Sequence, residues 1–271
     1  MSSDADFADL VRFLSLERLA TFQAITGSIG EAISLHQQTL RLGSQLMMVT
    51  AVIEVALRNA VYEKLESYYG QPDWLVTPPA GLAWRSSEVS KIQLAKKSAR
   101  RDVYAKMSQA QKRHLDTLAF PRGVPVAVGK AADLRRVAAR QEQISVTMGQ
   151  IVAQLTFFFW KRLYSKDYAN VLWTPLKTVF PDRNLKRPDV ASQLEHLYQS
   201  RNRVAHHEPI FGRRLQETLG AIEFFLNYFD GKDANGVAHI SKLLAEDFKH
   251  LKASASELES RIASFKVSGG G

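Results

Sequence analysis

Residues 187–211 read RPDVASQLEHLYQSRNRVAHHEPIF, and this stretch shows most clearly how the chain folds. Its apolar residues recur at gaps of four, three and seven positions, the spacing of one face of an α-helix: Val190, Leu194, Leu197 and Val204. Pro188 is tolerated in the first turn of a helix, whereas Pro209 discourages the helix from continuing. The stretch therefore predicts a helix that packs one face against a partner and ends before Pro209.

Arg201 falls on the apolar face of this predicted helix, where a hydrophobic residue is expected. Because a guanidinium keeps its charge in proteins, Arg201 needs a carboxylate, another anion or a water-filled cleft beside it. Asn202 follows directly, and His206 and His207 come five and six residues after the arginine. A permanent cation, an amide and titratable imidazoles thus gather at one helix end, which makes this end a candidate site.

Helical spacing recurs along the rest of the chain, and no sustained two-residue alternation occurs, so the predicted fold class is all-α. Residues 7–26 predict a helix that stops at Gly27, and the next helical stretch runs towards Pro72 as one long helix or two joined near Gly43. The aromatic run 157–160 is expected to pack in the core rather than to form a platform for stacked bases.

After Pro72 the spacing predicts a basic helix over 88–107. A loop or lid, rich in proline and glycine, is predicted over 120–130. We interpret the chain as one all-helical domain, a bundle with a basic helical insertion. Its predicted parts are the N-terminal helices (1–80), the basic insertion (85–140) and the bundle that carries Arg201 and the histidines (145–265), within a single domain of residues 1–271.

The excess of positive charge lies in one segment. Residues 85–140 contain fourteen lysines or arginines and four acidic residues, which gives a net charge of +10 against +9 for the whole chain. Such a segment suits a phosphate backbone or an acidic partner, although a charge run is also typical of a solvated helical face. The substrate-contacting residues expected from charge alone are Lys96, Lys97, Arg100 and Arg101.

Composition excludes several classes of protein. The chain has no cysteine, so it has neither disulfides nor thiolate–metal sites. The N-terminus is polar and acidic, unlike a signal peptide, and the most apolar runs, 49–57 and 155–160, are too short to span a bilayer. We therefore expect a cytoplasmic protein that does not contact a membrane.

The histidines lack the spacing of a metal site, because His206 and His207 are adjacent rather than four residues apart and no His-Glu-x-x-His sequence occurs. Glycine-rich phosphate loops and the nucleophile elbow of α/β hydrolases are missing as well. We expect neither a metal nor another cofactor.

Arginine and histidine without a metal fit the cleavage of RNA through its own 2′-hydroxyl group. In this chemistry His206 is the general base or acid, Arg201 binds the phosphate through two N–H groups, and Asn202, one turn before His206, positions the imidazole. On an ideal helix Arg201 and His206 lie about 140° apart. Either the last turn unwinds before Pro209, or the residues act across a twofold dimer.

A structural role is the alternative for the same residues. Arg201 could pair with a carboxylate on another helix, such as Glu54, and only hold the bundle together. The histidines could then be helix-end residues that the helix dipole favours.

The segment Arg201–His206 has the form RxxxxH and resembles the RxxxxH motif of the HEPN superfamily. More narrowly, the chain resembles the Abi-like family of bacterial abortive-infection proteins. The resemblance extends loosely over most of the chain, including the run IEVALRN at 53–59, and is most specific over residues 201–211.

This resemblance implies a HEPN-like helical bundle with metal-independent endoribonuclease activity, acting as a toxin or phage-defence effector and as a homodimer. It implies that Arg201 and His206 are the catalytic pair and that Asn202 fills the polar position after the arginine. Arg203, His207 and Glu208 belong to the extended motif, and we expect Arg203 and His207 to bind substrate. RNA and a second copy are the implied partners, and an antitoxin is a further partner that such toxins can have. Because some HEPN proteins lack nuclease activity, the alternative is a non-catalytic helical module that binds RNA or a protein.

Overall fold

The computed structural model describes residues 4–126 and 129–268. Within these residues the chain is helical and contains no strand, which confirms the all-α prediction. The α-helices, numbered in chain order, are α1 (Asp4–Leu14), α2 (Leu16–Thr26), α3 (Ile29–Tyr69), α4 (Ser86–Lys106), α5 (Gln109–Ala119), α6 (Lys130–Glu142), α7 (Met148–Gln154), α8 (Phe157–Arg162), α9 (Ala169–Leu176), α10 (Arg187–Ala205), α11 (Arg213–Tyr228) and α12 (His239–Ser268). Residues 127 and 128 of the predicted loop lie outside the described residues. The HEPN-like arrangement of these helices stays a prediction.

The chain divides into two compact units, Met1–Leu57 with Lys177–Gly271, and Arg58–Leu176. The basic segment 85–140 lies entirely in the second unit, whereas the Arg201–His206 segment lies in the first. The interpretation of the chain as one domain stays a prediction.

Helix α3 is one continuous helix of 41 residues rather than two helices joined near Gly43. One face of it is buried along its length: Leu42, Leu46, Val49, Ile53, Leu57, Val61 and Leu65. An 18-residue window of α3 has a mean hydropathy of 1.5, so by length and composition alone this helix could cross a membrane. A core helix passes the same test, and the buried face of α3 is that of a core helix. The absence of membrane contact stays a prediction.

In the first unit, α10 packs against α11. The predicted apolar residues Val190, Leu194 and Leu197 of α10 are buried, as expected. Ser200 is buried beside them, and its hydroxyl group forms a 2.6 Å hydrogen bond with that of Thr218 on α11. Satisfying two buried hydroxyl groups in this way fixes the register of α10 one residue before Arg201.

In the second unit, the buried carboxylate of Glu88 fixes the first turn of the basic helix α4 through hydrogen bonds. The carboxylate of Glu88 accepts hydrogen bonds from the hydroxyl groups of Tyr168, at 2.8 Å, and Ser87, at 3.0 Å, and faces Nε of Arg162 at 3.4 Å. The predicted core role of the aromatic run is confirmed, since Phe157, Phe159 and Trp160 are buried.

Asp116 of α5 links two helices of the basic segment. Its carboxylate accepts paired hydrogen bonds from Arg140, at 2.7 and 2.5 Å, and from Arg136, at 3.0 and 2.5 Å, both on α6. Arg140 also donates to the hydroxyl group of Tyr104 on α4, at 3.1 Å. Hydrogen bonds from Arg140 and Arg136 hold the pKa of Asp116 well below its ordinary value. Two of the fourteen basic residues thus share one negative charge within the unit.

We predict that Asp116→Asn lowers the free energy of unfolding by roughly 2–4 kcal/mol, because it leaves two partly buried guanidinium groups without their anion. Since the pKa of the folded state is depressed, the carboxylate stabilises the protein above the unfolded-state pKa, near 4. That contribution is lost as pH falls through the depressed value. Urea unfolding at several pH values measures both effects.

Asp133→Asn is the control, since Asp133 is exposed on α6 and its loss should change stability by less than about 0.5 kcal/mol. Equal effects of the two substitutions would contradict the role assigned to Asp116.

Candidate functional site

Helix α10 ends in a turn that positions the residues of the Arg201–His206 segment. The backbone N–H of His207 donates to the carbonyl of Val204 at 2.9 Å, and the N–H of Glu208 donates to the carbonyl of Arg203 at 2.8 Å. This pair of bonds is the Schellman pattern, in which the residue after the cap adopts the left-handed conformation. His207 occupies that position with φ of 56°.

A histidine in place of the usual glycine strains this turn, and two side-chain contacts stabilise it. Nη1 of Arg18, on α2, donates to the carbonyl of His207 at 2.8 Å. Nη1 of Arg203 lies 3.1 Å from Oε2 of Glu208, an ion pair that spans the turn. Arg203 and His207, expected to bind substrate, thus also have structural roles here.

Arg201 is half-buried and has a nearby anion. Its Nε lies 3.6 Å from Oε2 of Glu54 on α3, and its side chain is 37% exposed. Its Nη1 also donates weakly to the amide oxygen of Asn202, at 3.5 Å. The pairing with Glu54 is the one that the structural alternative named. The distance is that of a loose ion pair, so part of the guanidinium remains accessible to a second anion.

His206 is exposed and, among residues 4–126 and 129–268, its imidazole has no hydrogen-bonding or ionic partner. Its backbone N–H still donates to the carbonyls of Asn202 and Arg203, both at 3.1 Å, so His206 continues the path of the helix. The chain leaves that path only at His207. The last turn of α10 thus does not unwind before His206, so it does not remove the angle of about 140° that an ideal helix gives between Arg201 and His206.

Asn202 contacts Arg201 through its side chain. Its amide oxygen faces the guanidinium of Arg201, and this is the hydrogen bond that its side chain makes. Positioning of the imidazole by Asn202 stays a prediction.

A cavity of about 610 Å³ lies where the end of α10 meets α3. Gly43 makes this approach close, because a Cβ atom at that position would lie 3.2 Å from Cγ1 of Val204. His207 and Glu208 line the cavity together with Val204 and Pro209. Of the two histidines, His207 therefore reaches the cavity wall.

The basic residues predicted to contact substrate lie on α4, in the second unit. Lys96, Lys97 and Arg101 are exposed, and Lys97 and Arg101 are four residues apart on one face. Arg100 is the exception, since its Nε donates to the carbonyl of Ile144 at 3.1 Å and its Nη1 pairs with the carboxylate of Glu142. Arg100 is therefore less available to a phosphate than its neighbours.

Sequence reasoning missed Arg18 and the cavity. Arg18 carries no sequence signal, because it lies 189 positions from its partner. Gly43 was a sequence signal for the cavity, since a glycine inside a helix indicates either a break or the close approach of another element. Within the part of the chain that the structure describes, no group of three or more metal-ligating side chains occurs.

No family model matches the chain, and no curated protein or solved structure matches it.

We predict that Arg201→Ala lowers the free energy of unfolding by about 1 kcal/mol or less, because the ion pair with Glu54 is loose and partly solvated. Urea unfolding measures this. A loss of several kcal/mol would mean that the arginine mainly holds the helices together, as the structural alternative states.

We predict that His207→Gly raises the free energy of unfolding by up to about 1 kcal/mol, because glycine adopts the left-handed conformation without strain. The matched control is His206→Gly, which should lower stability by about 0.5–1 kcal/mol, since His206 has a φ of −94° that any residue adopts. Destabilisation by both substitutions would show that His207 is not strained.

Proposed function

We propose that the chain is a metal-independent endoribonuclease of the HEPN type that acts as a cytoplasmic toxin or phage-defence effector. The observation that carries the proposal is the state of Arg201 and His206 at the end of α10. The imidazole is exposed and unpartnered among the described residues, and the guanidinium is only loosely paired. Both groups are therefore accessible to a phosphodiester, which the proposed chemistry requires.

The reaction forms a bond from the 2′-oxygen to phosphorus and breaks the bond from phosphorus to the 5′-oxygen. The 2′-hydroxyl loses its proton to a base, and the leaving 5′-oxygen gains one from an acid. Histidine can fill either role near neutral pH, and His206 is the residue proposed for it. Arg201 would stabilise the negative charge on the phosphate oxygens in the transition state.

The angle between the two residues is the reason for proposing a homodimer. Because Arg201 and His206 point in different directions from one helix, His206 of one protomer would act with Arg201 of the partner subunit. Helix α3 offers a face for a second copy beside Glu54. Its exposed apolar residues lie eight and seven positions apart, on one side of the helix: Leu40, Met48 and Val55.

We predict that the purified chain cleaves RNA in the presence of EDTA and leaves a 2′,3′-cyclic phosphate and a 5′-hydroxyl group. Arg201→Ala and His206→Ala should each lower the rate by at least about a hundredfold, because each removes one part of the chemistry. Incubation with total RNA followed by end-group analysis measures the outcome.

Two matched controls remove the same types of side chain outside the site. His196→Ala changes a histidine on α10 that lies 3.6 Å from Glu217, and Arg213→Ala changes an arginine that is 93% exposed on α11. Both should cleave at the wild-type rate. Mixing the two inactive variants should restore cleavage if the pair acts across the dimer. Unchanged cleavage by Arg201→Ala or His206→Ala would refute the nuclease proposal.

The exposed face of α4 favours a second candidate function, a non-catalytic module that binds RNA. Lys97 and Arg101 present two cations one turn apart, a spacing that suits neighbouring phosphates. In that case RNA binding weakens steeply with salt and survives both Arg201→Ala and His206→Ala, and no cleavage products form.

A further inference from the structure

The cavity beside the end of α10 has the size and lining of a ligand site. Its volume of about 610 Å³ lies within the range of about 300–1,000 Å³ that is typical of small-molecule sites. Leu40, Met47, Val204 and Pro209 give it mostly apolar walls. Glu208 is the acidic residue in its lining, and its side chain is 48% exposed.

The cavity is next to the catalytic pair along the chain. Its lining includes Val204, Ala205, His207 and Glu208, the residues on both sides of His206. For an RNA strand whose phosphate lies at His206, a neighbouring base is the group that we assign to this cavity. A nucleobase suits such walls, because its flat faces are apolar enough to pack against methionine, leucine and proline while its edge makes hydrogen bonds.

We propose that this cavity binds a guanine base of the RNA substrate, with the carboxylate of Glu208 accepting hydrogen bonds from the N1–H and the 2-amino group. An ionised carboxylate is an acceptor only, so it selects a base edge with adjacent donors. Guanine presents two such donors side by side. Adenine and cytosine present one amino group next to an acceptor nitrogen, and uracil presents one N–H between two carbonyls. The ion pair with Arg203, at 3.1 Å, holds the carboxylate in place for this contact.

The inference rests on the proposed nuclease function, since it names the base that this site would recognise. It is tested by binding rather than by cleavage. The full chain is titrated calorimetrically with each of the four ribonucleoside 5′-monophosphates in EDTA. Guanosine monophosphate should bind about tenfold more tightly than the other three, the discrimination expected of one good bidentate contact.

Two substitutions locate the binding. Ser44→Phe places a ring from the exposed side of α3 into the cavity and should abolish the binding of guanosine monophosphate. Gln37→Phe is the control, because it adds the same ring at an exposed position of α3 outside the cavity lining. Glu208→Gln should remove the preference for guanine and favour adenine, since an amide offers one donor and one acceptor. Thermal unfolding of each variant shows whether it is folded.

The outcomes separate the two proposals. Equal affinity for all four nucleotides, or guanosine monophosphate binding that Ser44→Phe leaves unchanged, would overturn the guanine site even if the chain cleaves RNA. Selective binding that depends on Ser44 and Glu208, in a chain that cleaves no RNA, would support the guanine site and refute the nuclease. If the chain cleaves RNA preferentially next to guanine, and Glu208→Gln removes that preference, the guanine site and the nuclease proposal are both supported.

Discussion

The close approach of α10 to α3 at Gly43 is the constraint on which the candidate site depends. With no side chain at residue 43, the methyl groups of Val204 lie against the backbone of α3. This brings the end of α10 near enough for Arg201 to meet Glu54 and leaves a cavity beside His207 and Glu208. A Cβ atom at position 43 would lie 3.2 Å from Cγ1 of Val204, so any larger residue requires the side chain of Val204 to shift.

The basic segment 85–140 and Arg201 differ in how their positive charge is paired. In the second unit, Arg136 and Arg140 share Asp116, so two of the fourteen basic residues of the segment link α5 to α6. Lys96, Lys97 and Arg101 are among the basic residues of the segment that remain exposed, where they can attract a polyanion. In the first unit, the loose pair of Arg201 with Glu54 keeps a guanidinium in place without fully neutralising it. That state is compatible with a structural contact and with phosphate binding, which is why measured stability and measured cleavage are both needed.

Much of the fold could be predicted from the sequence, because helical periodicity is a local property. The apolar faces of α10 and α3, the basic helix α4 and the core role of the aromatic run all follow from spacing. The sequence alone could not decide between one helix and two around Gly43, since a glycine there signals either a break or a close contact. The contact of Gly43 with Val204, far away in the sequence, shows that the second explanation holds. The segment around Arg201 was recognisable as a candidate site. Its contact with Arg18 was not, because ion pairs and caps between distant positions leave no periodic signal.

The site joins residues 18, 43 and 54 to residues 201–208. During synthesis the first three leave the ribosome long before their partners exist, so a nascent chain carries no assembled turn, cavity or arginine pair. Products of interrupted translation that stop short of residue 200 would lack the candidate site for the same reason. The candidate site is therefore complete only after residue 208 has been synthesised.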